Sequence, residues 1–272
     1  MATFPSRRNS ENGSTATSVV MAARLGVVAC EDTAMTPKTI LLVHGAWHGA
    51  WCWASLQAEL DRRGVPSLAI DLPGHGVSPL PFSDLHGDAQ YVADALSRIK
   101  GPVVLVGHSY GGAVITEAAT RHPDNVNHLV YLTAFVLDEG EALMPFLKTM
   151  PVIETPLGAA IRPTADGAFS TVDPAHSEVS FYGECPEGTT EAANPRLCPQ
   201  PFATFFQPVT GAPWKTIPST YVECTLDGAI PIEHQRVMSA RCQNIVTLET
   251  DHSPFASKPA ETADILERLA RN

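Results

Sequence analysis

No run of eighteen consecutive apolar residues occurs in this 272-residue chain, so the sequence offers no helix able to cross a bilayer. Basic residues are also scarce. The 18 Lys and Arg stand against 29 Asp and Glu, a formal net charge of −11. That balance disfavours nucleic acid and anionic membrane as partners, since both carry the same sign. The six cysteines are Cys30, Cys52, Cys185, Cys198, Cys224 and Cys242, and no two form a C-x-x-C pair. A zinc ribbon or dithiol redox motif is therefore disfavoured. Scattered cysteines in a chain of this length read as reduced thiols, with Cys185 and Cys198 the pair to form if the protein is exported. Internal repeats and low-complexity tracts are absent. What is present is an ordinary globular composition, 44% hydrophobic and 17% charged, at a length suited to one α/β domain.

The first 37 residues read differently from the rest. Residues 1–17 are polar, with Arg7 and Arg8, and the apolar stretch from Ser18 to Cys30 is interrupted by Arg24. Val27-Val28-Ala29-Cys30 looks like a lipoprotein cleavage site, yet Met35 stands just before the first convincing strand. The expectation is a poorly ordered leader, or a start assigned too early, over residues 1–37. A cytoplasmic protein follows, with export the alternative if residues 1–30 act as a leader.

From Lys38 the segments alternate in type. Strands are expected at Lys38–Val43, Ser67–Ile70, Pro102–Val106, Val126–Thr133, Ser219–Cys224 and Asn244–Thr250. Helices are expected at Trp51–Arg63, Ala89–Ile99, Tyr110–His122 and Pro259–Leu269, each with an apolar stripe at helical spacing. The alternation implies an α/β fold, a mostly parallel sheet of about six strands covered by helices on both faces. It breaks between Asp138 and Ile217, where eleven of the 23 prolines lie between Pro145 and Pro213. Long regular elements cannot run through that density. Residues 138–217 are therefore expected to be a cap of short helices and loops, inserted in a core made of 38–137 and 218–272.

Gly107-His108-Ser109-Tyr110-Gly111 sits between a strand-like run and a helix-like run. A serine hydroxyl is a weak nucleophile unless held exposed beside a base, and a sharp strand-to-helix turn presents it so. The base and its orienting acid should come from loops after strands, which converge on one crevice. His252 follows the strand ending at Thr250, and Asp227 follows the strand ending at Cys224. Asp138 also follows a strand and is the rival acid. The order Ser109, Asp227, His252 is the one expected of the α/β-hydrolase fold. An oxyanion needs two fixed N–H donors. Tyr110, after the nucleophile, and Ala46, in the loop Val43-His44-Gly45-Ala46-Trp47-His48-Gly49, are the candidates. His44 reads as a loop brace, and Trp51 and Trp53 as packing. Gly45 and Trp47 are candidate substrate contacts.

From Lys38 onward the chain resembles the α/β-hydrolase superfamily. Val43 to Trp53, and Thr225 to Gln235 with Asp227, Ile230 and Pro231, are similar to plant methylesterases and hydroxynitrile lyases. The resemblance implies a carboxylic ester hydrolase working through an acyl-enzyme on a small or medium, mainly apolar ester. It implies no metal or organic cofactor, and a monomer or homodimer. Hydroxynitrile lyases carry a lysine directly after the catalytic histidine and a threonine at the position of Gly45; here the former is Ser253. Both departures favour the esterase. The alternatives are a hydroxynitrile or carbon–carbon lyase on the same triad, and a non-enzymatic small-molecule receptor. Cap residues such as Phe146, Phe169, Phe181, Phe202, Phe205, Phe206 and Trp214 are expected to make the pocket apolar.

Overall fold

The computed structural model describes residues 36–272. The expected leader, with Cys30, lies outside the described residues apart from its last two positions. Among the described residues no helix is long and apolar enough to cross a membrane.

In chain order, β1 (Thr39–Val43) leads through a single 3-10 turn, Ala50–Trp53, into α1 (Ala54–Arg62), then β2 (Ser67–Ile70) and α2 (Leu85–Arg98). Next come β3 (Val103–Ser109), α3 (Gly111–Arg121) and β4 (Val126–Ala134). The segment expected as the cap follows, with α4 (Leu143–Leu147), α5 (Pro156–Ala160), β5 (Ile161–Pro163), β6 (Phe169–Val172), α6 (Thr189–Ala193) and β7 (Gln200–Pro201). The chain then returns through β8 (Ser219–Cys224), α7 (Ile232–Ser239), β9 (Asn244–Leu248), α8 (Pro254–Ser257) and α9 (Pro259–Arg271). The six long-range strands form one parallel sheet in the order β2-β1-β3-β4-β8-β9.

The sheet has two covered faces, which is why its inner strands read as unbroken apolar runs. Leu41, Val43, Val103, Leu105, Leu129 and Tyr131 turn to one side, against Leu85, Ala89, Val92 and Leu96 of α2 and the buried side of α3. Ile40, Leu42, Val104, Val106, Val130 and Leu132 turn to the other, against Leu56 and Leu60 of α1, Leu266 of α9, Trp53 and Phe255. Edge strand β9 is exposed at Asn244, Ile245 and Thr247.

Several elements differ from the sequence expectation: β3 runs on to Ser109 rather than ending at Val106, and the helix expected from Trp51 opens as a 3-10 turn, with α1 proper starting at Ala54. Helix α2 begins four residues earlier than its apolar stripe suggests. Asp84 caps it by accepting the Gly87 N–H at 2.8 Å, a local signal stronger than the stripe. The strand before His252 ends at Leu248 rather than Thr250. The cap also holds a three-stranded antiparallel sheet, β5-β6-β7, in addition to short helices. Its strands are two to four residues long, short enough to fit between prolines, and Pro163 and Pro201 sit at strand ends.

Leu105 is fully buried in central strand β3, whereas Ile245 on β9 is half exposed. Leu105→Ala should lower unfolding free energy by about 2–5 kcal/mol in urea titration. Ile245→Ala should change it by about 0.5 kcal/mol or less. Equal losses would place the core elsewhere than between sheet and helices.

Candidate active site

The loops leaving β1, β3, β4, β8 and β9 at their carboxyl ends meet at one end of the sheet. Ser109 closes β3 with φ +53°, and α3 begins two residues later. Non-glycine residues avoid positive φ, and holding one there costs on the order of 1–3 kcal/mol. Three such residues occur among the described ones: Ser109, Trp47 in the loop after β1, and Thr133 near the end of β4. All three lie at this end of the sheet. The turn at Ser109 is tight enough that a Cβ on Gly107 would come within 2.4 Å of the Gly111 carbonyl oxygen. A Cβ on Gly45 would come within 2.8 Å of the Ser109 Cβ. Gly45 therefore lets the β1 loop pass directly over the turn.

His252 and Asp227 meet as the chain order suggests. The His252 Nδ1 lies 2.7 Å from Asp227 Oδ2, and both side chains are buried. The remaining capacity of the carboxylate is taken up. Oδ1 accepts the N–H groups of Ala229 (2.7 Å) and Ile230 (2.8 Å), and Oδ2 also accepts the Thr133 hydroxyl. With Oδ2 acting as acceptor, the ring presents Nδ1–H to it and leaves Nε2 for another partner. Asp138 is not part of this cluster. Its carboxylate binds Lys215 Nζ and the Glu139 N–H in the cap, which holds it below the usual aspartate range. Among the described residues no hydrogen bond links Ser109 Oγ to His252 Nε2. Contacts of this type are often long before substrate arrives.

The loop after β1 is braced by its own histidines. His44 Nδ1 lies 2.8 Å from the Gly45 oxygen while His44 Nε2 accepts the Leu72 N–H at 3.1 Å. His48 Nδ1 lies 2.9 Å from the Ala46 oxygen, and Nε2 lies 2.8 Å from the Tyr182 hydroxyl. The His44 arrangement needs a neutral ring with Nδ1–H, and that of His48 accommodates one, since the Tyr182 hydroxyl can donate to Nε2. Burial favours that state, lowering His44 well below the ordinary value and His48 to about 4. His108 is likewise lowered by burial and donates Nε2–H to the His252 carbonyl at 2.7 Å. The role expected for His44 is thus also that of His48 and His108.

Ser109, Ala46, Trp47 and Tyr110 line a cavity of about 290 Å3. Its other walls include Phe135 and Leu143 with Phe202, Phe205, Phe206 and Ile230, and among the described residues no lysine or arginine lines it. Gly45 is not among the residues lining it; its lack of a side chain serves the close passage described above. Of the cap aromatics, Phe202, Phe205 and Phe206 reach the cavity, whereas Phe181 lies 5.7 Å from the His252 ring and Phe146 packs under Arg241. Trp53 is buried against Phe255 and His108. Trp51 stacks between His48 and Arg196. Cys185 and Cys198 are free thiols: Cys185 Sγ lies 3.4 Å from Asp251 Oδ2, and Cys198 Sγ lies 3.6 Å from the Trp47 oxygen.

Sequence reasoning passed over Asp88. It sits on the buried stripe of α2, three residues after Leu85 and four before Val92, and an acid on such a stripe is a readable signal. Its Oδ2 accepts the Tyr110 hydroxyl at 2.8 Å, and its Oδ1 has no partner. Burial raises its pKa to about 7, against the lowering effect of the Tyr110 bond.

Comparison with known proteins follows this geometry closely. The profile described as "Alpha/beta hydrolase family" matches residues 40–265. A pyrethroid hydrolase of Sphingobium wenxiniae is 33% identical over 250 residues, covering 87% of this chain and 89% of that protein. Methylesterase 1 of Arabidopsis thaliana is 28% identical over 253 residues, covering 85% and 95%. The expected likeness to plant methylesterases is borne out. The crystal structure of a pyrethroid hydrolase from Sphingobium faniae superposes with a TM-score of 0.75 at 30% identity, over 86% of this chain and 97% of that one.

The state of Asp88 gives a pH dependence. Between pH about 4 and 7 the unfolded chain has lost this proton and the folded chain keeps it. Stability from this group is therefore full below about 4 and falls as pH rises to 7. Asp88→Asn cannot ionise. Its stability relative to wild type should rise by about 1.4 kcal/mol per pH unit across that window and level off above it. Urea titrations at pH 4.5, 6 and 7.5 measure this; parallel curves would show that the folded protein does not keep the proton.

Proposed function

The chain belongs to the alpha/beta hydrolase family, and from that premise we propose a serine esterase that cleaves a small or medium, mainly apolar carboxylic ester through an acyl-enzyme. Hydrolysis of carboxylic esters as the class of reaction is supported by relatives named as a pyrethroid hydrolase and a methylesterase. The observation that carries the finer reading is the buried Asp227–His252 contact of 2.7 Å, at the same end of the sheet as a serine held at positive φ beside an apolar cavity.

In this reading His252 Nε2 takes the Ser109 proton as Oγ attacks the ester carbonyl. Asp227 fixes the tautomer and favours the imidazolium that forms. The carbonyl oxygen becomes an oxyanion held by the Ala46 and Tyr110 N–H groups. His252 returns its proton to the leaving alcohol, and water then attacks the acyl-enzyme by the same route. Trp47 and the cap phenylalanines contact the apolar part of the substrate. Residues 138–217 act as a cap on a core of 38–137 and 218–272, and the cap chooses the substrate. Ser253, directly after His252, has a fully buried hydroxyl and no charge, so it offers nothing to hold a departing cyanide. That weighs against a lyase.

Ser109→Ala should reduce hydrolysis of a nitrophenyl ester at least about a thousandfold, and activity near wild type would overturn the reading. A receptor would instead bind the ester tightly and leave it intact. Asp227→Asn should cost kcat about 100-fold or more, whereas Asp138→Asn should cost little; the reverse would assign the acid to Asp138. The cavity lacks a cation, so an acyl chain ending in carboxylate should be cleaved at least about tenfold less efficiently than its methyl-ended counterpart. A chain-length screen that includes such an ester reads this directly.

A further inference from the structure

The loop that carries Ala46 is held on both sides of that residue, and much of the hold comes from the cap. The peptide unit containing the Ala46 N–H has its oxygen on Gly45, which His44 Nδ1 contacts at 2.8 Å. The next unit is held at both ends. Its oxygen, on Ala46, faces His48 Nδ1 at 2.9 Å, and its N–H, on Trp47, points to Gln200 Oε1 at 3.4 Å. The unit after that has its oxygen, on Trp47, bound by the Cys198 N–H at 2.9 Å. Trp47 stands at φ +62°, a conformation that must be held by its surroundings.

Gln200 is fully buried in β7, opposite Ser170 of β6 in the cap sheet. Both ends of its amide are engaged. Nε2 donates to Thr204 Oγ1 at 3.0 Å, and Oε1 faces His75 Nε2 at 2.9 Å as well as the Trp47 N–H. Ser170 takes the other N–H of the same tryptophan, with the indole Nε1 at 3.1 Å from its Oγ and 3.2 Å from its carbonyl oxygen. One rung of the cap sheet thus accepts from both N–H groups of Trp47. A second cap residue, Tyr182, donates to the far nitrogen of His48 and so keeps that ring turned toward the Ala46 oxygen. Burying a glutamine costs free energy unless its polar atoms find partners, and here a partner of its oxygen lies in the loop of the oxyanion donor.

We propose that Gln200, with Tyr182 acting through His48, is a positioning residue that lets the cap set the direction of the Ala46 N–H. This rests on the esterase reading above. Neither residue lines the substrate cavity, so their loss should act on the transition state and leave ground-state binding unchanged. An N–H a few tenths of an ångström out of place still admits the carbonyl but holds the oxyanion poorly.

The test uses the full chain and a nitrophenyl ester. Gln200→Leu keeps the shape and removes both acceptor contacts; kcat should fall about 10- to 100-fold with KM within about twofold. Gln200→Glu restores an acceptor at Oε1 and should recover kcat to within about fivefold of wild type. Affinity for a trifluoromethyl ketone, which places an oxyanion in the hole once Ser109 adds, should fall in step with kcat/KM. Affinity for a non-adding amide of the same shape should not change. Tyr182→Phe removes a single oxygen and disturbs packing least; its kcat should fall about 3- to 10-fold at constant KM. The proposal is overturned by losses confined to KM, by equal loss in Gln200→Leu and Gln200→Glu, or by wild-type kcat in Tyr182→Phe. A wild-type rate in Ser109→Ala would instead remove the esterase reading itself, which separates the two failures.

Discussion

The carboxylate of Asp227 is the point on which the rest of this site depends. It lies in the loop after β8, yet it accepts from Thr133 at the end of β4, from Ala229 and Ile230 at the entry to α7, and from His252 beyond β9. A buried carboxylate without partners would cost several kcal/mol. With these donors it becomes a fixed anchor shared by three neighbouring strands. The positive φ at Thr133 belongs to the same arrangement, since Thr133 is the residue whose hydroxyl reaches Asp227. Backbone strain in one strand and charge in another are thereby tied to the orientation of one imidazole.

The cap completes the ordering from the other side. Its hydrogen bonds fall on three loops of the site, those after β1, β8 and β9. Gln200, Ser170 and Cys198 meet the Trp47 loop. Leu157 donates to the Gly228 carbonyl, next to Asp227. The Glu184 N–H binds Asp251, next to His252, at 2.9 Å, and the other oxygen of Asp251 takes the Ser253 N–H and the Ser257 hydroxyl. The neutral histidines fit the same scheme, since an uncharged imidazole is a compact group that can both donate and accept inside a dry loop.

The core and the three central residues could be read in the sequence because the signals were local and periodic. Strands covered on both faces give apolar runs, and Ser109, Asp227 and His252 each follow one. Sequence position does not separate the two candidate acids, since Asp138 satisfies the same rule; what differs is their partners, His252 for Asp227 and Lys215 for Asp138. Ala46 and Trp47 were legible as a loop after β1, but which residues of that loop face the cavity was not, because the Trp47 backbone turns at positive φ. The cap was legible only as an interruption. Its small sheet pairs Ser170 with Gln200 across thirty residues of loop and short helix. No periodicity survives in strands of two to four residues. Asp88 carried a signal, an acid on an apolar stripe, whose meaning depends on a tyrosine from another element.

The placement of the cap has a consequence for how a substrate arrives. Both of its ends are joined to the core, one after β4 and one before β8, and its interior is bonded to the loops that hold the candidate catalytic groups. A cover that swings away as a rigid flap would take Trp47, Gly228 and Asp251 out of their bonds and dismantle the site it uncovers. A route that spares those bonds passes the edge of the cavity, where Phe206 is half exposed. Reshaping that edge would alter the cavity without breaking the bonds that hold Trp47, Gly228 and Asp251.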